Sequence, residues 1–271
     1  MNSMSNVPGD NPDNSLPIGL LQRFREYAYE RYGIHFHDAK IDILKMKLQK
    51  MSSLHGFSLP GFYSLLATGD PDAGELFLGE IAVGHTFFFR ESDHFTHLVT
   101  DITNRSLQHP VVWCAASSSG EEPYSIVISL LEAGIHSFKV LASDVKPEAL
   151  AAIHRGRYHV NQLQNVDASL QKRYFTRLDE YTFAVRPELR KYLAIKRLNL
   201  HESFFFETPF DYVFCRNVMI YFDERGRNRV LHTLVDNLAP KGVLYVGHSE
   251  ALLTTTPNIR KEGPASYRRV G

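Results

Sequence analysis

The sequence has only two cysteines, and each lies in an apolar run, Cys114 in VVWCAA and Cys215 in YVFCRNV. A free thiol in such surroundings behaves as a small buried hydrophobic group, so we expect no disulfide framework. No run approaches the roughly 20 apolar residues that a membrane-spanning helix needs, and the first residues lack a basic start followed by an apolar stretch. We therefore expect a cytoplasmic protein that is neither exported nor inserted in a membrane.

An excess of charge of either sign is absent as well. Lys plus Arg and Asp plus Glu each number 30 among the 271 residues, so the bulk charge favours neither nucleic acid nor a membrane surface as a partner. The hydrophobic fraction of 44% predicts a globular protein with a substantial core. None of the 13 histidines has two further ligands at a spacing typical of zinc, so the sequence predicts no metal site.

The chain changes character along its length. Residues 1–15 are rich in Pro, Asn, Asp, Ser and Gly, which is typical of a disordered tail. Residues 16–84 carry apolar side chains at three- and four-residue spacing and predict a small all-α domain. Residues 85–96 contain the stretch TFFFRESDHF, and we interpret them as the junction with a second domain at residues 97–271.

The second domain alternates short apolar strands with helices. HPVVWCAA, FKVLASDV, YLAIKRLNL, FDYVFCRNV and GVLYVGHSE are typical of strands, and PYSIVISLLEAG and PEALAAIHRG are typical of helices between them. This alternation predicts an α/β fold with a mostly parallel sheet covered on both faces. The alternation breaks at about residues 159–191, where HVNQLQNVDASLQKRYF predicts short helices and TRLDEYTFAV a small hairpin. We predict a small inserted β subdomain there.

The loop after the first strand, ASSSGEEP, is where an open α/β sheet binds its ligand. Pro123 suits the first helical position, which would make Glu122 the N-cap of the helix. A helix N-terminus favours an anion such as pyrophosphate, but Glu121 and Glu122 would repel it. A positively charged ligand fits better, and S-adenosylmethionine carries a sulfonium and an α-ammonium. The alternative is that Glu122 only complements the helix dipole, which is worth about 0.3–1 kcal/mol.

Asp144 ends the second predicted strand in LASDV, a couple of dozen residues after Gly120. Nucleoside-binding folds place an acidic residue roughly 20 residues beyond the glycine loop, where it accepts hydrogen bonds from the ribose hydroxyls. An ordinary helix cap before PEAL explains Asp144 alone equally well. Together with the GEEP loop, the ribose interpretation is favoured.

Seven motifs, in order and spacing, resemble the chemoreceptor glutamate methyltransferases of the CheR type: TFFFRES, WCAASSSGEEPYSI, LASDVKPEAL with IHRGRY, RLNL, FDYVFCRNVMIYFD and GVLYVGHSE. The resemblance implies a Rossmann-like methyltransferase sheet that uses S-adenosylmethionine and releases S-adenosylhomocysteine. It implies glutamate O-methylation on the cytoplasmic methylation helices of bacterial chemoreceptors. It also implies that the helical domain and the inserted subdomain dock the receptor, and we expect a monomer.

The resemblance also assigns roles to single residues. The side chains that match cofactor contacts are Thr86, Arg90, Glu122, Asp144, Asn199, Leu200, Arg216 and Asn217. Tyr221 matches a tyrosine at the mouth of the active site, so Arg90 and Tyr221 are the candidate catalytic pair. A guanidinium can hold a carboxylate through two hydrogen bonds, and a tyrosine hydroxyl adds a donor without charge. We expect Phe87–Phe89 to anchor the junction and fix Arg90; the alternative is that Arg90 only pairs with Glu91 or Asp93.

The sequence departs from the family pattern at two places. Gly84 stands where the family usually has an asparagine, which puts one cofactor contact in doubt. Some members carry a loop rich in glycine and basic residues that grips a C-terminal pentapeptide on the receptor, whereas this chain has the shorter TRLDEYTFAV. We therefore predict an enzyme that does not depend on such a tether.

The predicted helix KIDILKMKLQK has a basic side. Its apolar residues share one face, and four lysines lie largely outside that face: Lys40, Lys45, Lys47 and Lys50. A solvated surface is the default interpretation of such lysines. Because receptor methylation helices are acidic in the family that this chain resembles, we expect the lysines to steer the receptor in.

Two other functions remain open at this stage. One is methyl transfer to another protein or to a small molecule, although CRNVMIY stands where enzymes that methylate amino groups carry an Asn-Pro-Pro-aromatic motif. The other is a non-catalytic sensor or scaffold that binds S-adenosylmethionine or S-adenosylhomocysteine. The presence of Arg90, Glu122, Asp144 and Tyr221 argues against it, because a decayed enzyme should have lost some of them.

Overall fold

The computed structural model describes residues 16–82, 84–250 and 258–271, so the predicted tail lies outside the described residues. The N-terminal part is helical, with α1 at Ile18–Tyr32, α2 at Ile41–His55, α3 at Leu59–Ala67 and α4 at Pro71–Ile81. These helices pack around one apolar cluster that includes Phe24, Leu44, Leu48 and Phe77, all buried. In the described part of the chain, no helix combines the length and apolar character needed to cross a membrane.

The helical part touches the rest of the chain closely at the end of α1. Gly33 ends this helix in the left-handed region, at φ 71°, where glycine is strongly preferred. A Cβ at this position would lie 2.6 Å from His201 Nδ1 and 2.8 Å from the Phe222 ring, so only glycine allows this approach. Next to it, the backbone N–H of His35 donates to the carbonyl of Tyr221 at 2.7 Å.

The remaining chain is α/β. Its helices are α5 at Asp93–Asn104, α6 at Glu121–Glu132, α7 at Pro147–Arg155, α8 at Ala168–Tyr174 and α9 at Glu224–Asp236. Its strands are β1 at Val111–Cys114, β2 at Lys139–Asp144, β3 at Arg157–His159, β4 at Phe175–Arg177, β5 at Thr182–Val185, β6 at Leu193–Arg197, β7 at Phe210–Cys215, β8 at Leu238–Val246, β9 at Ile259–Gly263 and β10 at Ser266–Arg269.

The main sheet has seven strands in the order β6-β2-β1-β7-β8-β10-β9. Strands β6, β2, β1, β7 and β8 are parallel, and β10 runs antiparallel to both β8 and β9. Alternate residues of β1 enter different apolar clusters, Val112 and Cys114 one and Trp113 the other, so both faces are covered. The mostly parallel sheet is therefore confirmed, whereas the C-terminal hairpin β9–β10 was not predicted.

The insertion between α7 and β6 forms its own small sheet, in the order β3-β5-β4. The predicted hairpin is present as the antiparallel pair of β4 and β5, and β3 adds a third strand on the other side of β5. The predicted short helices are the 3-10 helix at Val160–Leu163 and α8. This sheet begins at Arg157, next to the end of α7.

Helix α6 begins earlier than the sequence predicted. Gly120 is the N-cap, at φ 102°, and both Glu121 and Glu122 lie in the first turn, so Glu122 as N-cap was wrong. A Cβ at Gly120 would lie 2.8 Å from the Tyr158 hydroxyl oxygen, so the turn needs glycine for space as well as for conformation. The positive φ of this glycine lets the helix begin at Glu121, two residues before Pro123.

Candidate functional site

A cavity of about 220 Å³ lies at the carboxyl ends of β1, β2 and β7. Its lining includes all the residues that the sequence assigned to the cofactor and the acceptor: Thr86, Arg90, Glu122, Asp144, Asn199, Leu200, Arg216, Asn217 and Tyr221. Tyr32 and Ile34 of the helical part and Lys146 also line it. The site therefore lies where the helical part meets the sheet, at the position typical of ligands in open α/β folds.

The Arg216 side chain, which is 1% exposed, forms the centre of an ion cluster. Its Nη1 donates to Glu122 Oε2 at 2.7 Å, and its Nη2 donates to Glu91 Oε2 at 3.0 Å and to the carbonyl of Arg90. The guanidinium also lies over the Phe95 ring, 5.7 Å from its centroid. The Arg216 guanidinium is therefore hydrogen-bonded to protein groups, and it holds Glu122 and the junction in place.

Glu91 belongs to this cluster, although the sequence gave it no role beyond a possible ion pair with Arg90. Burial alone would raise the pKa of Glu91, but the Arg216 guanidinium outweighs it and the pKa lies below its ordinary value. Two carboxylates then share one guanidinium, so this group of three side chains carries more acid than base. A positively charged ligand group is favoured there, as the sequence argument required.

The two glutamates of GEEP face in different directions. Glu122 lines the cavity, and its Oε1 accepts a hydrogen bond from the Cys114 thiol at 3.0 Å. Glu121 is fully buried away from the cavity, with its carboxylate bonded to Ser119 and Gln162. The expectation that both glutamates face the ligand was therefore wrong for Glu121.

Asp144 ends β2 at the cavity, and it is not a helix cap. Its Oδ2 accepts the backbone N–H of Ser118 at 2.8 Å, and its Oδ1 accepts that of Lys146 at 3.0 Å. Helix α7 has Lys146 as its N-cap and receives no side-chain cap. Burial raises the pKa of Asp144, although these hydrogen bonds oppose the shift. Each oxygen retains a further lone pair that could accept a ligand hydroxyl.

Arg90 sits between two residues in the left-handed region, Phe89 at φ 58° and Glu91 at φ 53°. This conformation is strained for a residue with a bulky side chain, and such strain is concentrated at functional sites. Arg90 Nη1 donates to the carbonyl of His85 at 2.8 Å, and its guanidinium lies 5.7 Å from the Phe87 ring centroid. No ion pair of Arg90 is found among the described residues, so the alternative of a pair with Glu91 or Asp93 is wrong.

The three phenylalanines do not act as one anchor. Phe88 is buried in the core of the α/β part, edge-on to Tyr158 at 4.9 Å and to Phe175 at 5.2 Å between ring centroids. Both partners belong to the inserted subdomain. Phe89 instead packs on Phe95, and its N–H donates to Ser125 Oγ at 3.0 Å. The junction is therefore fastened to the insertion and to α6.

The loop that carries Tyr221 is held by a residue that the sequence analysis missed. Glu250, in the GHSE motif, is 8% exposed and accepts the backbone N–H groups of Asn217 at 2.7 Å, Gly247 at 2.9 Å and Ile220 at 3.3 Å. Burial raises its pKa against the effect of these hydrogen bonds. A buried acid needs such donors, so the acidic residue after the last parallel strand was the available signal.

Asn199 connects the cavity to α1. Its Nδ2 donates to the carbonyl of Arg31 at 3.0 Å and to Glu202 Oε1 at 3.1 Å, and its Oδ1 accepts the N–H of His201 at 3.0 Å. The neighbouring Leu200 is buried and offers an apolar surface to the cavity. Asn199 therefore fixes the position of the RLNL loop. The sequence analysis had named this residue only as a candidate cofactor contact.

The four lysines lie outside the cavity, in and just before α2, and one of them differs from the prediction. Lys47 is turned toward α4, where its Nζ donates to the carbonyl of Glu80 at 2.6 Å, and burial lowers its pKa. It is therefore not part of an exposed basic face. Lys40 and Lys50 are exposed and Lys45 is partly exposed, and Lys50 Nζ lies 3.6 Å from Glu80 Oε1.

The structure also brings together possible metal ligands that the sequence did not connect. Donor atoms of Glu91, His94 and His248 lie within 4.8 Å of one another. Burial, and then the nearby Arg216, lower the pKa of His94 to about 4. Because the Glu91 carboxylate already balances Arg216, we assign this group to the ion cluster.

Comparison with known proteins decides the family. The family model described as the SAM-binding domain of CheR methyltransferase matches residues 84–267. The chain belongs to the CheR methyltransferase family. A chemotaxis protein methyltransferase of Escherichia coli is 37% identical over 239 residues, which cover 85% of this chain and 83% of that protein. Chemotaxis protein methyltransferase 2 of Pseudomonas aeruginosa is 34% identical over 258 residues, which cover 91% of each chain.

Membership of the CheR family makes this protein an S-adenosylmethionine-dependent methyltransferase. The residues of the cavity fit that cofactor. The Glu122 carboxylate offers acceptors for the α-ammonium, Asp144 offers acceptors for ribose hydroxyls, and Leu200 offers an apolar surface. Asp144 ends β2, whereas Glu122 and Leu200 follow β1 and β6, and these three parallel strands end at the same side of the sheet.

Gly84 lies directly against the loop that follows β1. A Cβ at Gly84 would lie 2.5 Å from Ser118 Oγ, so the serine occupies the space of a larger side chain. Replacing Gly84 with asparagine should therefore displace the loop that Asp144 holds and weaken S-adenosylhomocysteine binding by about 10-fold. Calorimetric titration measures this effect. The double variant Gly84→Asn with Ser118→Ala should recover most of the affinity, and unchanged binding in Gly84→Asn alone would show that the two residues do not compete.

Proposed function

We propose that this protein transfers a methyl group from S-adenosylmethionine to glutamate side chains on the cytoplasmic helices of bacterial chemoreceptors, forming methyl esters. It acts in the cytoplasm as a monomer and needs no pentapeptide tether. The observation that carries the proposal is the position of Arg90. In a CheR-family cavity that also holds Glu122 and Asp144, Arg90 is a guanidinium with no carboxylate partner among the described residues.

Positioning is the main task that this chemistry leaves to the protein. When bound, S-adenosylmethionine supplies a methyl group activated by the sulfonium. A glutamate with an ordinary pKa of about 4.3 is already ionised at neutral pH, so the acceptor requires no general base. Holding a carboxylate in line can contribute about 7–11 kcal/mol to barrier lowering in favourable intramolecular models.

Arg90 and Tyr221 are suited to hold the acceptor carboxylate. Burial raises the pKa of Tyr221, and the nearby Arg90 charge opposes the shift, so the phenol stays protonated and can donate. A planar guanidinium adds two parallel hydrogen bonds. Both side chains line the cavity next to Ile220, which is 48% exposed and provides an apolar surface at the opening. The acceptor oxygen would thus be directed by donors and separated from water on one side.

The direct test is transfer of labelled methyl to a purified chemoreceptor cytoplasmic fragment. We expect a base-labile methyl ester that mass spectrometry maps to glutamates, and a fragment with those glutamates replaced by glutamine should accept no label. A base-stable product, or label on lysine, would contradict the proposal. Tight cofactor binding without transfer to any receptor fragment would favour another acceptor or a non-catalytic sensor.

Receptor fragments with and without a C-terminal pentapeptide should be methylated at similar rates. A large gain in rate from the peptide would contradict tether independence.

The basic side of α2 is proposed as the surface that receives the acidic receptor helix. Lys40, Lys45 and Lys50 lie near Ile43 and Met46, whose exposed fractions are 41% and 62%. Apolar side chains beside lysines suit an amphipathic acidic helix.

Replacing Lys40, Lys45 and Lys50 by glutamate should raise the apparent KM for the receptor fragment about 10-fold and reduce the salt dependence of that KM, with kcat little changed. Glutamine at the same positions should give an intermediate KM. Unchanged kinetics in both variants would leave the lysines as solvated surface.

A further inference from the structure

A glutamine of the inserted subdomain bonds to the first turn of α6. Gln162 lies in the 3-10 helix at Val160–Leu163, and its Nε2 donates to Glu121 Oε1 at 2.5 Å. The other carboxylate oxygen of Glu121 accepts the Ser119 hydroxyl at 2.6 Å. Glu121 is fully buried, so these donors replace the water that a carboxylate would otherwise bind.

Both polar atoms of the Gln162 side-chain amide are hydrogen-bonded. Its Oε1 accepts the backbone N–H of His159 at 2.8 Å, which leaves Nε2 as the group that faces Glu121. The His159 side chain in turn accepts the N–H of Asn161 at 3.2 Å, completing a capping box. One amide therefore bridges the backbone of the insertion and the first turn of α6.

A second contact supports the same loop. The Tyr158 hydroxyl donates to the carbonyl of Ser119 at 2.9 Å and fills the space beside Gly120. The Tyr158 ring also packs on Phe88 of the junction. The insertion thus contacts the GEEP loop and the segment that leads to Arg90, although none of its residues lines the cavity.

We propose that Gln162 is a positioning residue for the cofactor site: by holding Glu121, it fixes the first turn of α6 so that Glu122, the next residue, faces the cavity. The inference rests on the proposed cofactor contact of Glu122. The insertion is then a support for the methyl-donor site as well as a candidate surface for the receptor. A change in the insertion is expected to alter cofactor affinity.

The pKa of Glu121 links the Gln162 contact to a pH dependence that can be measured. Burial raises the pKa of Glu121, and the hydrogen bonds from Ser119 and Gln162 oppose that shift. The other titratable groups that act on it are His85, whose charge lowers its pKa, and Tyr158. Without the Gln162 donor, the pKa of Glu121 should move further up, so the carboxylate should become protonated and release the loop at a higher pH.

The test is calorimetric binding of S-adenosylhomocysteine from about pH 5.5 to 8.5 in the full chain. Gln162→Met should weaken binding about 10-fold at the acidic end and move the midpoint of the pH dependence upward. Gln164→Met changes an exposed glutamine two residues away and should bind as the wild type does. In a Glu121→Gln background the shift caused by Gln162→Met should vanish.

The outcomes separate the positioning role of Gln162 from the cofactor contact of Glu122. Wild-type affinity and pH dependence in Gln162→Met would overturn the positioning role. A uniform loss of affinity, with no shift in the pH midpoint, would also overturn it, because a general packing defect gives that result. If Glu122→Gln binds S-adenosylhomocysteine as the wild type does, the proposed cofactor contact fails instead, and Gln162 is not responsible for that failure.

Discussion

Replacing Arg90 with alanine should lower kcat for methyl transfer to a receptor fragment by about 10²- to 10³-fold, while S-adenosylhomocysteine still binds. The reason is that Arg90 is a cavity guanidinium that contacts a backbone carbonyl and the Phe87 ring and has no carboxylate partner among the described residues, so its remaining donors can face an acceptor carboxylate. Single-turnover transfer with saturating cofactor measures the loss directly. The effect should fall on the chemical step because positioning, and not proton removal, is what the protein supplies.

Arg90→Lys is the matched control for this prediction. Lysine keeps the charge but cannot make the planar pair of hydrogen bonds, so we expect it to recover little of the activity. Full activity in Arg90→Lys would show that charge alone is required. If Arg90→Ala transfers methyl at the wild-type rate, the acceptor is held by other residues and the proposed catalytic role of Arg90 is lost.

Replacing Arg216 with methionine should have the largest effect on stability. The change leaves Glu91 and Glu122 without their shared cation in a buried place, and breaking a buried pair from one side costs about 3–5 kcal/mol. Cofactor affinity should fall as well, because Glu122 is no longer oriented toward the cavity. Urea unfolding gives the stability change, and calorimetry below the unfolding transition gives the affinity.

Arg268 offers the matched comparison. It pairs with Asp101 at 2.6 Å and with Glu262 at 2.7 Å, away from the cavity. Arg268→Met should therefore destabilise the fold while the remaining folded protein binds S-adenosylhomocysteine with wild-type affinity. Glu91→Gln combined with Arg216→Met should recover part of the lost stability, since one uncompensated carboxylate is removed. Wild-type stability and affinity in Arg216→Met would contradict the central place given to this ion cluster.

The sequence predicted the parts of the fold that depend on local pattern. Parallel strands β1, β2 and β7 are short apolar runs, and their ends carry Glu122, Asp144 and Arg216 into one cavity, as the motifs implied. Strands β9 and β10 were missed because IRKEG and SYRR are polar and basic and have no clear apolar alternation. Strand β10 pairs with β8, which no local pattern reveals, and β9 joins the sheet through β10.

The partners of individual side chains were the least predictable part of the site. Neighbouring glutamates look equivalent in GEEP, yet the left-handed Gly120 turns Glu121 inward and Glu122 toward the cavity. Arg216 and Glu91 are 125 residues apart, so their ion pair exists only in the folded chain. Glu250 likewise acts through backbone N–H groups 33 and 30 residues away, at Asn217 and Ile220. Long-range contacts of this kind need the structure.

A crystal structure with bound S-adenosylhomocysteine would test the account most directly, because the account places the methyl donor and the acceptor groups in one cavity. We predict the α-ammonium beside Glu122, the ribose hydroxyls on Asp144, and the sulfur directed toward Arg90 and Tyr221. A ligand bound elsewhere, or a sulfur that faces away from both residues, would contradict the proposed site and the roles given to its side chains.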